Sequence, residues 1–347
     1  MRSGVGTGLR LLGNRLGLRP TLFNASLFVT QRCNLRCVYC SSPLRRTREL
    51  DTAQWCKILD ELAELGCQRI AFLGGEPLLR ADLTELIAHG RARGMRCVLT
   101  SNGLLVPRRI DHLRGLDTLV LSLDAPGPAN DAVRGDGVFA AVEAAIEAAR
   151  RAGLRLKLNA VLSAVTAPHL DALLAFTERH DLYLTINVVR SGAPDLWHNA
   201  GRVKADDAAI SRLLEHLAVL ARTNRRLLFS PTTYRYAATW GDYGRDRYEA
   251  DELPTDDPRR RNGPQCQAGR AYISIDADGS VYPCSLTFDR ITGGNAAVDG
   301  VANAWRALRA HQCVACYSPC QVEKNFVTSL HPGALTHFAR RYLPRFA

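Results

Sequence analysis

Three cysteines, Cys33, Cys37 and Cys40, lie within eight positions of one another in the segment QRCNLRCVYC. Cysteine thiolates bind iron and zinc, so this C-x3-C-x2-C spacing indicates a metal site. A structural zinc site closes with four ligands, which are usually supplied as two separated pairs. Three thiolates in one tight loop instead suit three irons of a four-iron cluster and leave the fourth iron open. Zinc stays open as an alternative on this pattern alone.

A second group of cysteines lies near the C-terminal end of the sequence. The segment AYISIDADGSVYPC has strand-like alternation on both sides of Asp278 and Gly279, which predicts a β-hairpin. Such a hairpin would bring Cys266 and Cys284 together, and a helix predicted over residues 301–311 precedes the rest of the group. The five members are Cys266, Cys284, Cys313, Cys316 and Cys320.

The composition of the chain indicates its cellular compartment and therefore the redox state of these thiols. The chain has 347 residues, of which 46% are apolar, and we find no signal peptide and no apolar run long enough to span a membrane. We therefore expect a cytoplasmic protein, where thiols stay reduced and 11 cysteines indicate metal ligands rather than disulfides. The three isolated cysteines, Cys56, Cys67 and Cys97, are predicted to be small buried residues.

Alternating elements are expected to position the first cysteine group. Six short apolar segments alternate with amphipathic helical stretches, and in the first helix Asp51 and Gln54 form a capping-box pattern. This alternation predicts an α/β fold, a partial (β/α)6 barrel of the TIM type, with a small C-terminal hairpin-and-helix domain. The predicted strands are 25–30, 69–73, 96–100, 118–123, 155–162 and 183–189.

Polar motifs follow these strands at the point where each one ends. GGEP (74–77) follows the second strand, SNG (101–103) the third and SLD (122–124) the fourth, while Asn159 lies within the fifth. Because the carboxyl ends of parallel strands meet at one mouth of a barrel, we expect these groups to lie together there.

The cysteine loop and GGEP, in this order after successive strands, resemble the radical S-adenosylmethionine (SAM) family. The resemblance implies that Cys33, Cys37 and Cys40 hold a 4Fe-4S cluster whose fourth iron is chelated by SAM. It also implies SAM contacts from Tyr39 and from GGEP, with Glu76 binding the amino group. The implied SAM-binding residues are Tyr39, Gly74, Gly75, Glu76, Ser122, Arg134 and Asn159.

Three of these contacts have a structural alternative. Ser122 and Asn159 match positions that contact the carboxylate and ribose of SAM, or they only form hydrogen bonds at the strand ends. Arg134 is predicted either to pair with the SAM carboxylate as a bidentate partner or to form a surface ion pair.

The second cysteine group resembles the family's twitch or shortened SPASM extension, which binds an auxiliary 4Fe-4S cluster. By this resemblance, Cys266, Cys284, Cys313 and Cys316 are the four ligands, and Cys320 is spare or replaces one of them. A zinc ion held by the same four cysteines is the alternative. The implied domains are a basic N-terminal segment (1–23), the radical SAM barrel (24–230), a linker (231–265), the auxiliary cluster domain (266–320) and a basic tail (321–347).

The two ends of the chain carry much of its net charge of +11. Residues 1–20 contain four arginines and no acid, and residues 321–347 contain four basic residues against one acid. An amphipathic N-terminal helix that touches anionic lipid at the inner membrane face is one hypothesis, and a helix packed across the barrel end is the other. No nucleic-acid motif accompanies the basic residues, so nucleic acid is not an expected partner.

The family resemblance implies an enzyme that cleaves SAM reductively to a 5′-deoxyadenosyl radical, which takes hydrogen from a substrate. A flavodoxin or ferredoxin is the implied electron donor. Only about 23 residues precede the first strand, too few for a separate leader-peptide-binding domain, so we expect a small-molecule substrate such as a sugar or lipid precursor that is oxidised, epimerised or coupled. A ribosomal-peptide maturase of the SPASM type is the alternative enzyme, and a non-catalytic metal-bound scaffold is the alternative of another class.

Overall fold

The computed structural model describes Gly13 and residues 21–45, 47–190, 200–288, 290–310 and 313–342. The predicted amphipathic N-terminal segment lies almost wholly outside these residues, as do residues 343–347 of the basic tail. In the described part, no helix combines the length and the apolar character needed to cross a membrane. The membrane contact proposed for the two ends stays a prediction.

Six parallel strands form the centre of the fold and hydrogen-bond to one another in chain order. Each lies within two residues of its predicted position, so the strand predictions are confirmed. The polar motifs identified in the sequence therefore follow their strands at one edge of the sheet, as expected. The strands are β1 (Asn24–Thr30), β2 (Arg69–Gly74), β3 (Arg96–Ser101), β4 (Thr118–Ser122), β5 (Leu156–Leu162) and β6 (Tyr183–Val188).

Helices follow the strands and cover the outer face of the sheet. In the first of them the predicted capping box is present, since the Asp51 side chain accepts from the Gln54 N–H and the Gln54 side chain accepts from the Asp51 N–H. Trp55 and Ile58 of the same helix are buried in the main core with Phe72 of β2. The helices are α1 (Thr52–Glu64), α2 (Leu83–Ala92), α3 (Pro128–Arg134), α4 (Val138–Arg151), α5 (Leu170–Arg179) and α6 (Asp207–Thr223).

The predicted C-terminal hairpin is present as β8 (Tyr272–Ile275) and β9 (Val281–Tyr282), with Gly279 at a positive φ of 89° in the turn. β8 pairs in parallel with β1, so the hairpin extends the sheet that carries the first cysteine loop. The sheet therefore has eight strands, in the order β6-β5-β4-β3-β2-β1-β8-β9, and it is not closed. Asp276, directly after β8, forms an ion pair of 2.8 Å with Arg45 beyond the cysteine loop.

The predicted linker, 231–265, contains ordered elements. Tyr234 and Tyr236 on its first helix are buried, so tyrosines rather than aliphatic side chains fill core positions in this segment. Its strand β7 pairs with β10 (Cys313–Cys316), which carries two cysteines of the second group. The elements here are α7 (Pro231–Ala238), β7 (Arg247–Glu249) and α8 (Pro258–Arg261).

The C-terminal part continues with short helices and one strand. The helix predicted over 301–311 ends earlier, at Ala307, and a 3-10 turn over Leu308–Ala310 follows it. The elements are α9 (Ala296–Asp299), α10 (Val301–Ala307), β10 (Cys313–Cys316), α11 (Pro319–Thr328) and α12 (Pro332–Tyr342).

Candidate functional site

The first cysteine loop leaves β1 at the carboxyl edge of the sheet and is attached to α3. The Val38 N–H donates to the Val133 carbonyl at 2.9 Å, and the Cys40 N–H donates to the Cys37 carbonyl at 3.0 Å. Burial raises the pKa of Cys33 to about 11 and that of Cys37 to about 12, and the neighbouring Cys40 adds to both shifts. The three thiols thus lie within electrostatic range of one another.

A cavity opens beside these thiols at the mouth of the barrel. Six of the seven residues predicted to bind SAM line it, together with the three cysteines. This places the predicted groups around one space, and their role as SAM contacts and iron ligands stays a prediction. The lining residues are Cys33, Leu35, Cys37, Tyr39, Cys40, Leu73, Gly74, Gly75, Thr100, Ser101, Asn102, Ser122, Arg134, Asn159 and Val161.

The two glycines of GGEP let the backbone after β2 approach the cysteine loop closely. The Gly75 N–H donates to the Thr30 carbonyl at 2.8 Å, and the next N–H donates to the Arg32 carbonyl at 2.8 Å. A Cβ atom on Gly75 would lie 2.2 Å from the Arg32 carbonyl oxygen. Only glycine fits this position without moving one of the two backbones.

Replacing Gly75 by alanine is expected to destabilise the protein by about 1 to 3 kcal/mol, since the clash is with backbone and no rotamer relieves it. The cysteine loop must move away, so SAM affinity is expected to fall as well. Urea unfolding and SAM binding to the reconstituted protein measure the two effects. Gly201→Ala is the matched control, because a Cβ atom there meets nothing within 4 Å. Equal stability and SAM affinity of the two variants would contradict the prediction.

Glu76 lies behind the cavity wall rather than on its surface. The side chain is fully buried, and its carboxylate accepts from the Leu78 N–H at 3.1 Å, the Ser101 hydroxyl at 3.0 Å and the Asn102 N–H at 2.8 Å. Glu76 therefore holds GGEP against the SNG motif after β3. Its predicted contact with the SAM amino group stays a prediction.

The pKa of Glu76 is raised from 4.5 to about 7 because burial outweighs these hydrogen bonds. A raised acid pKa means that the folded protein binds this proton more tightly than the unfolded chain does, so stability falls as pH rises between the two values. We expect the apoprotein to gain up to roughly 3 kcal/mol from this group between pH 8 and pH 4.5. In Glu76→Gln this contribution disappears.

Urea unfolding of the wild type and of Glu76→Gln across this pH range measures the difference. Glu147→Gln is the control, because Glu147 lies on the surface with its side chain 72% exposed. Parallel pH profiles of the wild type and Glu76→Gln would show that Glu76 is not the titrating group.

Arg134 forms a buried ion pair with Asp124 and also lines the cavity, so its predicted contact with SAM stays a prediction. Its Nε and Nη2 atoms donate to the two Asp124 oxygens at 2.8 Å each, so the bidentate edge predicted for SAM is already occupied. The ion pair predicted as the alternative is present but buried rather than on the surface, because the Arg134 and Asp124 side chains are 6% and 0% exposed. The Tyr39 hydroxyl donates to Asp124 at 2.6 Å, and the Val161 N–H donates to it at 2.8 Å.

Sequence reasoning overlooked Asp124 and Asn102 as site residues. The Asn102 amide donates to Asn34 in the cysteine loop at 2.8 Å and lies 3.9 Å from the Cys33 sulfur. Both residues belong to the polar motifs that end β3 and β4, so their position could have indicated a role. Asn159, also at the cavity, accepts from Thr185 at 2.9 Å through its side chain.

Four cysteines of the second group come together around β8 and β10. The Cys266 thiol is hydrogen-bonded to Cys313, which lowers the pKa of Cys266 and raises that of Cys313. Burial raises the pKa of Cys316, and the Cys266 and Cys284 thiols add to it. These four are referred to below as the cysteine quartet.

Cys320 is separate from the cysteine quartet. It packs against the main core of the barrel, whereas Cys266, Cys284 and Cys316 belong to a second apolar cluster. Its N–H donates to the Asn187 side chain on β6 at 3.1 Å. This location favours the prediction that Cys320 is a spare cysteine.

The donor chemistry of the cysteines suits iron-sulfur clusters. A zinc ion needs its sulfur ligands at about 2.3 Å from one point. Among the described residues, no three His, Cys, Asp or Glu side chains are grouped closely enough to hold a single metal ion. An iron-sulfur cluster spreads its ligands over several irons, and all-thiol donor sets are typical of it.

Comparison with protein families agrees with this donor chemistry. Residues 27–174 match the Radical SAM superfamily, and residues 266–329 match SPASM, an iron-sulfur cluster-binding domain. Both domains imply 4Fe-4S clusters. The second match covers the cysteine quartet and Cys320.

Curated relatives match over about a third of this chain. The Fe-coproporphyrin III synthase of Methanosarcina barkeri is 41% identical over 120 residues, which are 33% of this chain and 30% of that protein. The PqqA peptide cyclase of Methylocella silvestris is 43% identical over 120 residues, 32% of each chain. The chain thus spans about a third of the length of these relatives.

Solved structures share the fold over a longer stretch. Streptococcus suis SuiB bound to its precursor peptide SuiA has a TM-score of 0.61 at 19% identity, covering 82% of this chain and 65% of that one. The structure of anSMEcpe with bound AdoMet has a TM-score of 0.64 at 18% identity, covering 94% of this chain and 98% of that one. The chain therefore contains a radical SAM domain, followed at its C-terminal end by a SPASM-like iron-sulfur domain.

Proposed function

We propose that this protein is a radical SAM enzyme that removes hydrogen from a peptide substrate. The observation that carries the proposal is the cavity at the mouth of the barrel, which three thiols and six predicted SAM contacts line. Cys33, Cys37 and Cys40 would hold the SAM-binding 4Fe-4S cluster. With SAM bound and one electron supplied, this cofactor pair provides the 5′-deoxyadenosyl radical that takes a hydrogen atom from the substrate.

The chain itself positions the reactants and keeps water away. The Gly74 and Gly75 backbone lines the cavity where GGEP meets the cysteine loop. The buried pair of Asp124 and Arg134 fixes the Tyr39 ring beneath that loop. Leu73 and Val161 give the cavity apolar walls, which protect a reactive radical from side reactions.

The cysteine quartet would hold an auxiliary 4Fe-4S cluster. Tyr272 is buried against all four thiols, and burial with their charge raises its pKa well above the usual value. An auxiliary cluster there would accept the electron left on the substrate, which makes the reaction an oxidation, or would return an electron, or would only stabilise the domain. Cys320 takes no part in this ligand set.

A peptide substrate is better supported than the small molecule expected from the sequence. One curated relative is named a PqqA peptide cyclase, and a structure with the same fold contains a precursor peptide. A small molecule is the second candidate, because the Fe-coproporphyrin III synthase matches with comparable identity. An electron donor of the flavodoxin or ferredoxin type completes the proposal, and the net charge of +11 suits an acidic partner.

Anaerobic reconstitution followed by turnover tests the proposed function. The enzyme is incubated with SAM, dithionite and short peptides encoded beside its gene, and both 5′-deoxyadenosine and peptide mass are measured. We expect 5′-deoxyadenosine in step with a peptide that loses hydrogen, and neither product with Cys33→Ala. Turnover on a metabolite fraction but on no peptide would favour the second candidate. No 5′-deoxyadenosine under any condition would favour a non-catalytic scaffold.

A further inference from the structure

The inner face of the barrel sheet carries a lysine below the cavity. Along β5, Leu158 and Ala160 are buried in the main core, whereas Asn159 and Val161 line the cavity on the opposite face. Side chains alternate along a strand, so Lys157 lies on the same face as Asn159 and Val161. It is two residues deeper than Asn159, about 7 Å along the strand.

Two further cations, Arg69 and Lys324, lie within electrostatic range of Lys157. Burial, together with the positive charges of Arg69 and Lys324, lowers the pKa of Lys157 to about 8, while the Cys320 thiol acts in the opposite direction. Arg69 begins β2 on the face of Leu73, which also lines the cavity, and Lys324 lies on α11 above the Tyr272 ring. These three cations are called the lumen floor below.

Lys157 differs from the other lysines of the chain in having no polar partner. Lys57 pairs with Glu61 and Lys204 with Asp207, and Lys324 contacts Gln321. Lys157 forms neither an ion pair nor a hydrogen bond with any residue that the structure describes, and no carboxylate is among the groups that affect its pKa. The four lysines are Lys57, Lys157, Lys204 and Lys324.

We propose that the lumen floor binds a carboxylate of the substrate, with Lys157 as the contact and Arg69 and Lys324 as supporting charges. A half-buried ammonium without a counter-charge is unfavourable, and a carboxylate satisfies both its charge and its hydrogen bonds. The proposal rests on the proposed function, which has the substrate in the barrel. When the substrate carboxylate binds to the lumen floor, the substrate carbons a few bonds from it lie just below the SAM cavity. In a peptide substrate, an acidic side chain supplies this carboxylate.

Lysine labelling tests the lumen floor without any turnover. The reconstituted wild-type protein is methylated with formaldehyde and cyanoborohydride, and mass spectrometry follows each of the four lysines. The probe is N-acetylglutamate α-amide, with the neutral N-acetylglutamine α-amide and chloride at equal ionic strength as controls. We expect the probe to slow methylation of Lys157 at least fivefold and to leave the exposed Lys57 unchanged.

Equal protection by the neutral amide or by chloride would overturn the proposal, as would no protection. A Lys157 that reacts in no condition would overturn it too, because the floor would then be closed to solutes. N-acetylglycine, which carries a chain-terminal carboxylate, is tested as a further probe. Protection of Lys157 by N-acetylglycine alone would support the carboxylate site and show that it binds the C-terminal carboxylate of a peptide instead of an acidic side chain.

Binding of the probe to variants gives an independent reading. Saturation-transfer NMR of N-acetylglutamate α-amide should detect contact with the wild type and with Lys157→Arg, but not with Lys157→Gln. Because neither experiment needs SAM cleavage, a protein that modifies no peptide can still bind the carboxylate. A true peptide-modifying enzyme can equally fail this test, so the two proposals fail separately.

Discussion

Replacement of Cys37 by alanine is expected to lower the iron content from about eight to about four per chain and to abolish 5′-deoxyadenosine formation. The two remaining thiols of the loop cannot hold a cluster that three thiolates bind, while the cysteine quartet is untouched. Iron and sulfide are counted after anaerobic reconstitution, and 5′-deoxyadenosine is measured with SAM and dithionite. We expect a loss of activity of at least about a thousandfold, since without the cluster no electron reaches SAM.

Replacement of Cys284 is the complementary change. Cys284→Ala should also leave about four irons, but SAM cleavage should persist, because the cysteine quartet contributes nothing to the cavity lining. Cys56→Ala is the control, since Cys56 lies on the outer helix α1 and should affect neither measurement. Cys320→Ala should keep all the iron.

Three results would contradict this assignment. About four irons in the wild type would remove the auxiliary cluster from the proposal. SAM cleavage by the Cys37→Ala variant would show that the first cysteine loop is not required for SAM cleavage. Iron loss in Cys320→Ala would make Cys320 a ligand in place of one member of the quartet.

The strands and the site were predictable to different degrees, for physical reasons. Apolar segments of strand length, each followed by a polar motif, place β1 to β6 within two residues because burial and chain direction are local properties. The pairing of β8 with β1 joins residues about 250 positions apart. Hairpin alternation indicates that β8 is a strand but contains no information about its neighbour.

Side-chain partners at the site were less predictable. Residues 124 and 134 are close in sequence, yet their pairing depends on how α3 lies across the end of β4. An arginine such as Arg134 is suited to bind a carboxylate, but its position in the sequence does not show whether that carboxylate belongs to a ligand or to the protein. The same holds for Glu76, since only the structure shows that its carboxylate oxygens accept hydrogen bonds from the SNG motif.

The buried pair of Asp124 and Arg134 leads to the second large expected effect. Burial alone would lower the pKa of Arg134, but the adjacent Asp124 carboxylate more than offsets it and raises that pKa above its usual value. Asp124 accepts four hydrogen bonds, two from Arg134 and one each from Tyr39 and Val161. Removal of its charge therefore leaves a buried guanidinium without a counter-ion.

Asp124→Asn is expected to destabilise the apoprotein by about 3 to 5 kcal/mol, the usual result of breaking one side of a buried ion pair. An amide keeps the size of the carboxylate, but its NH2 group faces donors, so at least one of the four hydrogen bonds is lost as well. Urea unfolding measures the change.

The control is Arg151→Gln, which breaks an ion pair with Glu147 at 3.7 Å. The Arg151 and Glu147 side chains are 73% and 72% exposed, so this substitution should cost less than about 1 kcal/mol. If Asp124→Asn costs no more than this control, then the pair does not stabilise the loop. A double variant, Asp124→Asn with Arg134→Gln, should recover part of the loss, because it removes the uncompensated charge that makes the single change severe.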